Sequence, residues 1–271
     1  MAHYRPKNGE LVEVGRIQLW LHTLYARYEP QIIIVLDLTL RFFLKLRAKL
    51  ILMALSRLLG RFLPTAEVVT VEQATDFIDT IAGLEKAEIA VGPCRCQQVL
   101  GKTKGTYMKD LVIVYGAEAY KRASDEYTDL SPEEAKKLLL QLHHEGMIPT
   151  FYTCMGSGGW IYAICGCESK ICFPFRSHQA AGAVFHPGPD IVALDSEQCT
   201  ACGKCVERCH FGANSLANPS AEVDLTKCYG CGLCVSTCSG EARRMVKREG
   251  YRNRYYPIDL VKRHLPIRES L

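Results

Sequence analysis

From Val14 to Pro30 the chain reads VGRIQLWLHTLYARYEP, with apolar residues at Ile17, Trp20, Leu21, Leu24, Tyr25 and Tyr28. Steps of three and four put these side chains on one face of a helix, so the pattern predicts a helix that packs this face on its own protein and closes at Pro30. The next 34 residues, QIIIVLDLTLRFFLKLRAKLILMALSRLLGRFLP, are strongly apolar. Asp37, Arg41, Lys45, Lys49, Arg57 and Arg61 interrupt them at steps of four, with Met53 in the one gap. Four residues overshoot a helical turn by roughly 40°, so the polar stripe winds around a long helix and leaves more than one face apolar. The longest uncharged run, LILMALS, is seven residues, against the ~20 that cross a bilayer. Residues 1–65 therefore read as a helical docking segment. It would be covered by neighbours within the protein, by a partner subunit or by a membrane surface, with Gly60 as a place to bend.

After Pro64 the pattern becomes a mixture of short helices and strands. TVEQATDFIDTIAG has Thr70 and Gln73 in capping-box spacing and Gly83 as a stop, which predicts a helix. SPEEAKKLLLQLHHEG has Ser131 as N-cap, Pro132 at the first helical position, Glu134 at the third and Gly146 as a stop, which predicts another. AEIAVG, KDLVIVYG and IPTFYTC read as strands, the first leading into Cys94 and Cys96 and the last into the loop MGSGGW. The expected class is α+β: a helical N-terminal docking segment, a small α/β cysteine-rich domain at 66–190, a cysteine-repeat module at 191–248 and a basic tail at 249–271.

Charge sharpens this division. Residues 1–65 carry 10 Lys/Arg against 4 Asp/Glu, residues 66–240 carry 14 against 21, and residues 241–271 carry 9 against 4, giving +6, −7 and +5. Basic ends can meet anionic lipid, nucleic acid or an acidic partner, and charge alone does not choose among them. The start of the chain lacks the unbroken apolar core of a signal peptide, so the expectation is a reducing, cytoplasmic setting, with peripheral attachment to the membrane face as one reading. There, 14 cysteines point to metal rather than disulfides.

The sharpest motif is CTACGKCVERC, residues 199–209, whose C-x2-C-x2-C-x3-C spacing returns in CYGCGLCVSTC, residues 228–238. Three thiolates at successive x2 intervals on a curled loop each reach a different iron of a cubane, while backbone N–H groups of the loop turn toward its sulfides. Zinc knuckles or unligated thiols are the alternatives, but a tetrahedral single-ion site has no evident use for a third ligand at x2 and a fourth at x3.

This repeat resembles the bacterial-type ferredoxins with two 4Fe-4S clusters. The resemblance implies that Cys199, Cys202, Cys205 and Cys238 hold one cluster, and that Cys228, Cys231, Cys234 and Cys209 hold the other. Family members carry proline after each fourth cysteine. Here His210 and Ser239 stand instead, leaving the ligands intact but changing the loop and its hydrogen bonding.

Farther upstream lie Cys94, Cys96, Cys154, Cys165, Cys167 and Cys172. With FIDTIAGLEKAEIAVGPCRC, LSPEEAKKLLLQLHHEGMIPTF and ICGC ahead of the repeat, residues 66–240 resemble the longer 4Fe-4S dicluster-domain proteins of anaerobic bacteria and archaea. KTKGTYMKD replaces further cysteines common in that group, so the transfer stops at Cys94, Cys96, Cys165 and Cys167. These four are the candidate ligands of a third iron–sulfur cluster, with Cys172 or Cys154 as substitutes; zinc and redox-active thiols are the other readings.

MGSGGW lacks a P-loop lysine and reads as a turn. His143 and His144 sit where they complement a helix dipole. No Ser/His/Asp set appears. The expected function is an electron-transfer subunit that relays single electrons within a larger redox complex, its partners being redox-enzyme subunits and a membrane subunit or surface. A reductase with its active site in the upstream domain is the alternative. An iron–sulfur nucleic-acid protein is a remote third, because relay needs two clusters and a structural role needs one.

Overall fold

A computed structural model describes residues 4–7, 10–13, 15–48, 50–54, 64–83, 88–101, 105–153, 161–182, 184–217 and 220–251. An N-terminal ribbon, β1 (Tyr4–Lys7) and β2 (Glu10–Glu13), pairs antiparallel ahead of helix α1 (Arg16–Lys45). This ribbon was not foreseen from the sequence.

Two expectations for α1 are corrected. The helix does not close at Pro30 but runs through it. Pro30 removes one backbone bond, yet the turns on either side are fixed by buried Ala26 and Ile33 and by Glu29, whose carboxylate accepts from Tyr120 Oη at 2.9 Å. The buried face is also the reverse of the one expected. Leu19, His22, Ala26, Ile33, Asp37 and Leu40 face inward, while Ile17, Trp20, Leu21, Leu24, Tyr28, Val35, Leu38 and Phe42 are exposed. Small Ala26 permits close approach, and the inward polar groups find partners. His22 meets Tyr115 and Tyr162 edge to face, and Asp37 bridges Arg41 and Arg176 at 2.7 Å each. At Arg47, φ turns positive and the chain reverses; Leu52 then packs with Leu40 and Ala181. Gly60 lies outside the described residues.

The central sheet has seven strands in the order β6-β4-β5-β8-β7-β3-β9. They are β3 (Thr65–Val68), β4 (Ile89–Pro93), β5 (Met108–Ile113), β6 (Thr128–Asp129), β7 (Ile148–Thr153), β8 (Ile161–Cys167) and β9 (Phe185–His186). All neighbours are antiparallel except β3 and β9. Helices α2 (Val71–Ala82) and α5 (Pro132–His144) pack together, each opened by the expected capping box. Helices α3 (Arg95–Leu100) and α4 (Tyr115–Ala123) lie beneath α1, and α6 (Phe173–Ala181) follows Cys172.

Beyond the sheet, β10 (Asp190–Leu194) pairs antiparallel with β13 (Arg243–Lys247), and β11 (Asn214–Ala217) with β12 (Ser220–Val223). Short helices α7 (Lys204–Glu207) and α8 (Leu233–Ser236) lie within the two cysteine loops and carry Cys205 and Cys234. The protein is thus α+β, with a helical N-terminal segment and a seven-stranded mixed sheet. Among the described residues no helix is long and apolar enough to cross a membrane.

Candidate metal centre

The two cysteine loops repeat in a register of 29 residues. Positive φ falls at Ala201, Gly203 and Gly212, and again at Gly230, Gly232 and Glu241. Val206 N–H donates to Gly203 O and Val235 N–H to Gly232 O, both at 2.9 Å. Cys209 N–H reaches Val206 O at 3.2 Å and Cys238 N–H reaches Val235 O at 3.0 Å. The halves also exchange bonds: Asp195 N–H donates to Ala242 O at 2.8 Å, and Asp224 N–H to Ala213 O at 2.7 Å. Each loop is therefore completed by the segment that follows the other, a pseudo-two-fold arrangement.

Backbone N–H groups point at the sulfurs. Ala213 N–H donates to Cys209 Sγ at 3.2 Å and Ala221 N–H to Cys199 Sγ at 3.4 Å. Such donors favour the thiolate. N–H groups of Ala221 and Ala201 hold the Cys199 thiol below its ordinary range, and Lys204 N–H does the same for exposed Cys202. In the other half, burial pushes Cys231 up to about 12 and raises Cys234. The two loops share a backbone and differ in exposure: the first faces solvent, while Cys231 packs against the main core.

Arg243 sits between them, 5% exposed. Its Nη1 donates to Asn214 Oδ1 at 2.8 Å, Asn214 Nδ2 donates to Cys205 O at 3.1 Å, and buried Arg243 Nη2 has no hydrogen-bond partner among the described residues. Burial raises Cys205 and Cys234, and the charge of Arg243 opposes that rise; at Cys199 it adds to the lowering by the N–H groups. A buried cation with an orphaned N–H among thiols fits a net-negative group held by those thiols. Among the described residues, no three His, Cys, Asp or Glu side chains converge as a single-ion site. A cubane asks for something else, four thiolates spaced so that each binds its own iron.

His210 has a structural answer. Its Nδ1 lies 2.9 Å from Ser169 Oγ and its Nε2 2.8 Å from Gly146 O, so it joins the repeat to the upstream domain. A proline ring would offer neither nitrogen as a partner. Arg208 donates to the carbonyls of His143 and His144 at 2.9 and 3.0 Å, and His143 Nε2 meets Ser236 Oγ at 3.0 Å. The two histidines thus belong to this junction as well as to the end of α5. Phe211 stacks on Tyr229 at 4.2 Å, and His178 Nε2 meets Tyr229 Oη at 2.7 Å.

The upstream cysteines are brought together. Cys94 caps α3 and Cys96 follows in its first turn; Cys165 and Cys167, two apart on β8, share one face of the strand; Cys172 caps α6. All five line one cavity of about 160 Å³ beneath α1. Thr150 Oγ1 and Tyr152 Oη lie 3.2 and 3.3 Å from Cys167 Sγ. Phe173 N–H donates to Cys96 Sγ at 3.4 Å, and Cys165 Sγ donates to Asp110 Oδ1 at 3.0 Å. Cys154 and the glycine-rich loop after it lie outside the described residues, as do residues 252–271 of the tail. Sequence reasoning missed Lys109, Asp110, Glu29 and Arg95, which also line the cavity. The signal was present, since Lys109 and Asp110 open an otherwise apolar strand.

No family model, curated protein or solved structure matches the chain.

Proposed function

We propose that this protein is an iron–sulfur electron-transfer subunit, holding two 4Fe-4S clusters in its cysteine repeat and relaying single electrons within a larger redox complex. The observation that carries this reading is the 29-residue register, in which positive φ, turn hydrogen bonds and cysteine spacing all recur. The ligand sets would be Cys199, Cys202, Cys205 and Cys238 for the outer cluster, and Cys228, Cys231, Cys234 and Cys209 for the inner one. When bound, the clusters supply the redox chemistry; the chain holds them, hydrogen-bonds their sulfurs and provides Arg243 as counter-charge. The exposure of Cys202 supports electron exchange with a partner at the outer loop, and the packing of half-buried Cys231 against the main core supports onward transfer into the main domain.

The outer face of α1 supports docking. Its exposed charges are Arg16, Arg27, Arg41 and Lys45, whereas its two acids, Glu29 and Asp37, turn inward. An apolar stripe flanked only by bases suits an anionic membrane surface or an acidic, apolar face of a redox subunit.

Anaerobic purification with iron, sulfide and zinc assays tests the central claim. At least about eight irons and eight sulfides per chain, with the electron paramagnetic resonance of reduced cubanes, are expected. Zinc in place of iron would sink it. Flotation with anionic vesicles tests the docking face, with loss of binding expected in Leu21→Glu/Leu38→Glu.

A further inference from the structure

Five thiols from three separate stretches ring one cavity. Cys94, Cys96, Cys165, Cys167 and Cys172 all line the one cavity beneath α1, and the N–H of Phe173, next to Cys172, donates to Cys96 Sγ at 3.4 Å. We propose that this ring of Cys94, Cys96, Cys165, Cys167 and Cys172 binds a third iron–sulfur cluster, with Lys109 as its counter-charge, at the inner end of the relay. The proposal rests on the electron-transfer reading for its direction only, since none of its residues belongs to the repeat.

Lys109 carries the argument beyond cysteine content. It is 2% exposed, its Nζ reaches the weak acceptor Met147 Sδ at 3.6 Å, and it makes no ion pair among the described residues. A buried ammonium so poorly matched is costly unless an anion joins it. It lines the same cavity as the five thiols, and its charge acts on Cys94 and Cys167. Arg243 stands in the same relation to the thiols of the repeat, a buried cation whose other partners leave one N–H unused. One chain thus places a buried positive charge among each group of thiols. A thiolate-bound cluster is net negative and meets that need; neutral thiols do not.

The sulfur environment agrees. Phe173 N–H, Thr150 Oγ1 and Tyr152 Oη surround the ring sulfurs, the kind of hydrogen bonding that steadies cluster thiolates. Binding would release the ligand protons. Among the described residues no three His, Cys, Asp or Glu side chains are placed to hold a single metal ion. Thiols disposed around a cavity suit a polynuclear group. The side chains of Ile33 and Leu36 on α1 line the same cavity and limit water.

The place of the ring gives the relay its direction. Ser169 lies in the loop between Cys167 and Cys172, and it is bonded to His210, the neighbour of Cys209. The inner cluster and the ring would stand on either side of that junction.

The test uses the full chain, purified anaerobically, with iron, sulfide and zinc counted per chain. Wild type should carry about 12 irons and 12 sulfides, and Cys96→Ala/Cys167→Ala about four fewer of each. Lys109→Met should keep the count and lower the midpoint potential of one cluster alone. A count that the double variant does not lower, or one zinc in the ring, overturns the proposal. A total below eight that still falls by about four in the double variant supports the ring and faults the repeat instead. Should the double variant fail to fold, a wild-type count of about eight overturns the proposal, and a potential shift confined to one cluster in Lys109→Met supports it.

Discussion

The cysteine repeat and the upstream ring gather thiols by opposite means. In the repeat, eleven residues supply four cysteines, and a loop with fixed positive-φ positions aims them. In the ring, five cysteines come from the start of α3, from β8 and from the start of α6, and only the sheet and its flanking helices make them neighbours. The repeat also contains a comparison of its own. Its halves share a backbone, but one faces solvent and the other is pressed against the main domain. The lesson is that local sequence fixes how the thiols of a loop are aimed, whereas packing fixes how wet and how accessible each group of thiols is.

Air should break this comparison most visibly. Limited oxygen exposure is expected to remove about four irons first, from the outer loop with exposed Cys202, while the inner cluster survives longer. Mössbauer spectra of Cys202→Ser and Cys231→Ser would identify which cluster is lost. The reverse order would contradict the assignment of inner and outer sites.

Gly230 and Ala201 are equivalent positions, but a Cβ at Gly230 would collide with Asp190 O. Gly230→Ala is therefore expected to cost about 3 kcal/mol or more, read by chemical denaturation. His210→Pro deletes the bonds to Ser169 and Gly146; a loss of about 2 kcal/mol is expected, with the iron count unchanged. Glu29 sharpens the picture of the α1 interface. Burial, then the nearby Asp110, raises its carboxyl to about 7. The native state therefore holds this proton more tightly than the unfolded chain, and stability should fall as pH rises from about 4.5 to about 7. Glu29→Gln should remove that slope, worth about 2 kcal/mol after allowing for partial exposure. The smallest effect belongs to Ala201→Gly, which relieves a positive φ at the surface and should gain about 1 kcal/mol.

Helix α1 shows where sequence reading stops. Its periodicity was legible, but Ile17, Trp20, Leu21 and Leu24 turn outward, because the inward face is chosen by close approach at Ala26 and by partners for His22, Glu29 and Asp37 that lie far along the chain. Pro30 misled for a related reason: a lost backbone bond is local, and the anchors that outweigh it are tertiary. Capping boxes at Thr70 and Ser131 were legible because both partners lie three residues apart. Likewise, spacing alone marked the repeat as two copies of one loop.

By itself, then, the sequence determined what is set within a dozen residues: the capped helices, the two cysteine loops and the segregation of charge. Tertiary structure decided which face of α1 is buried, why a histidine follows Cys209, and that Cys172 and Lys109 join two distant C-x-C pairs around one cavity. The division follows from range. Hydrogen bonds across a turn are encoded by neighbours, but a buried charge or a shared cavity depends on strands that meet only after the chain has folded.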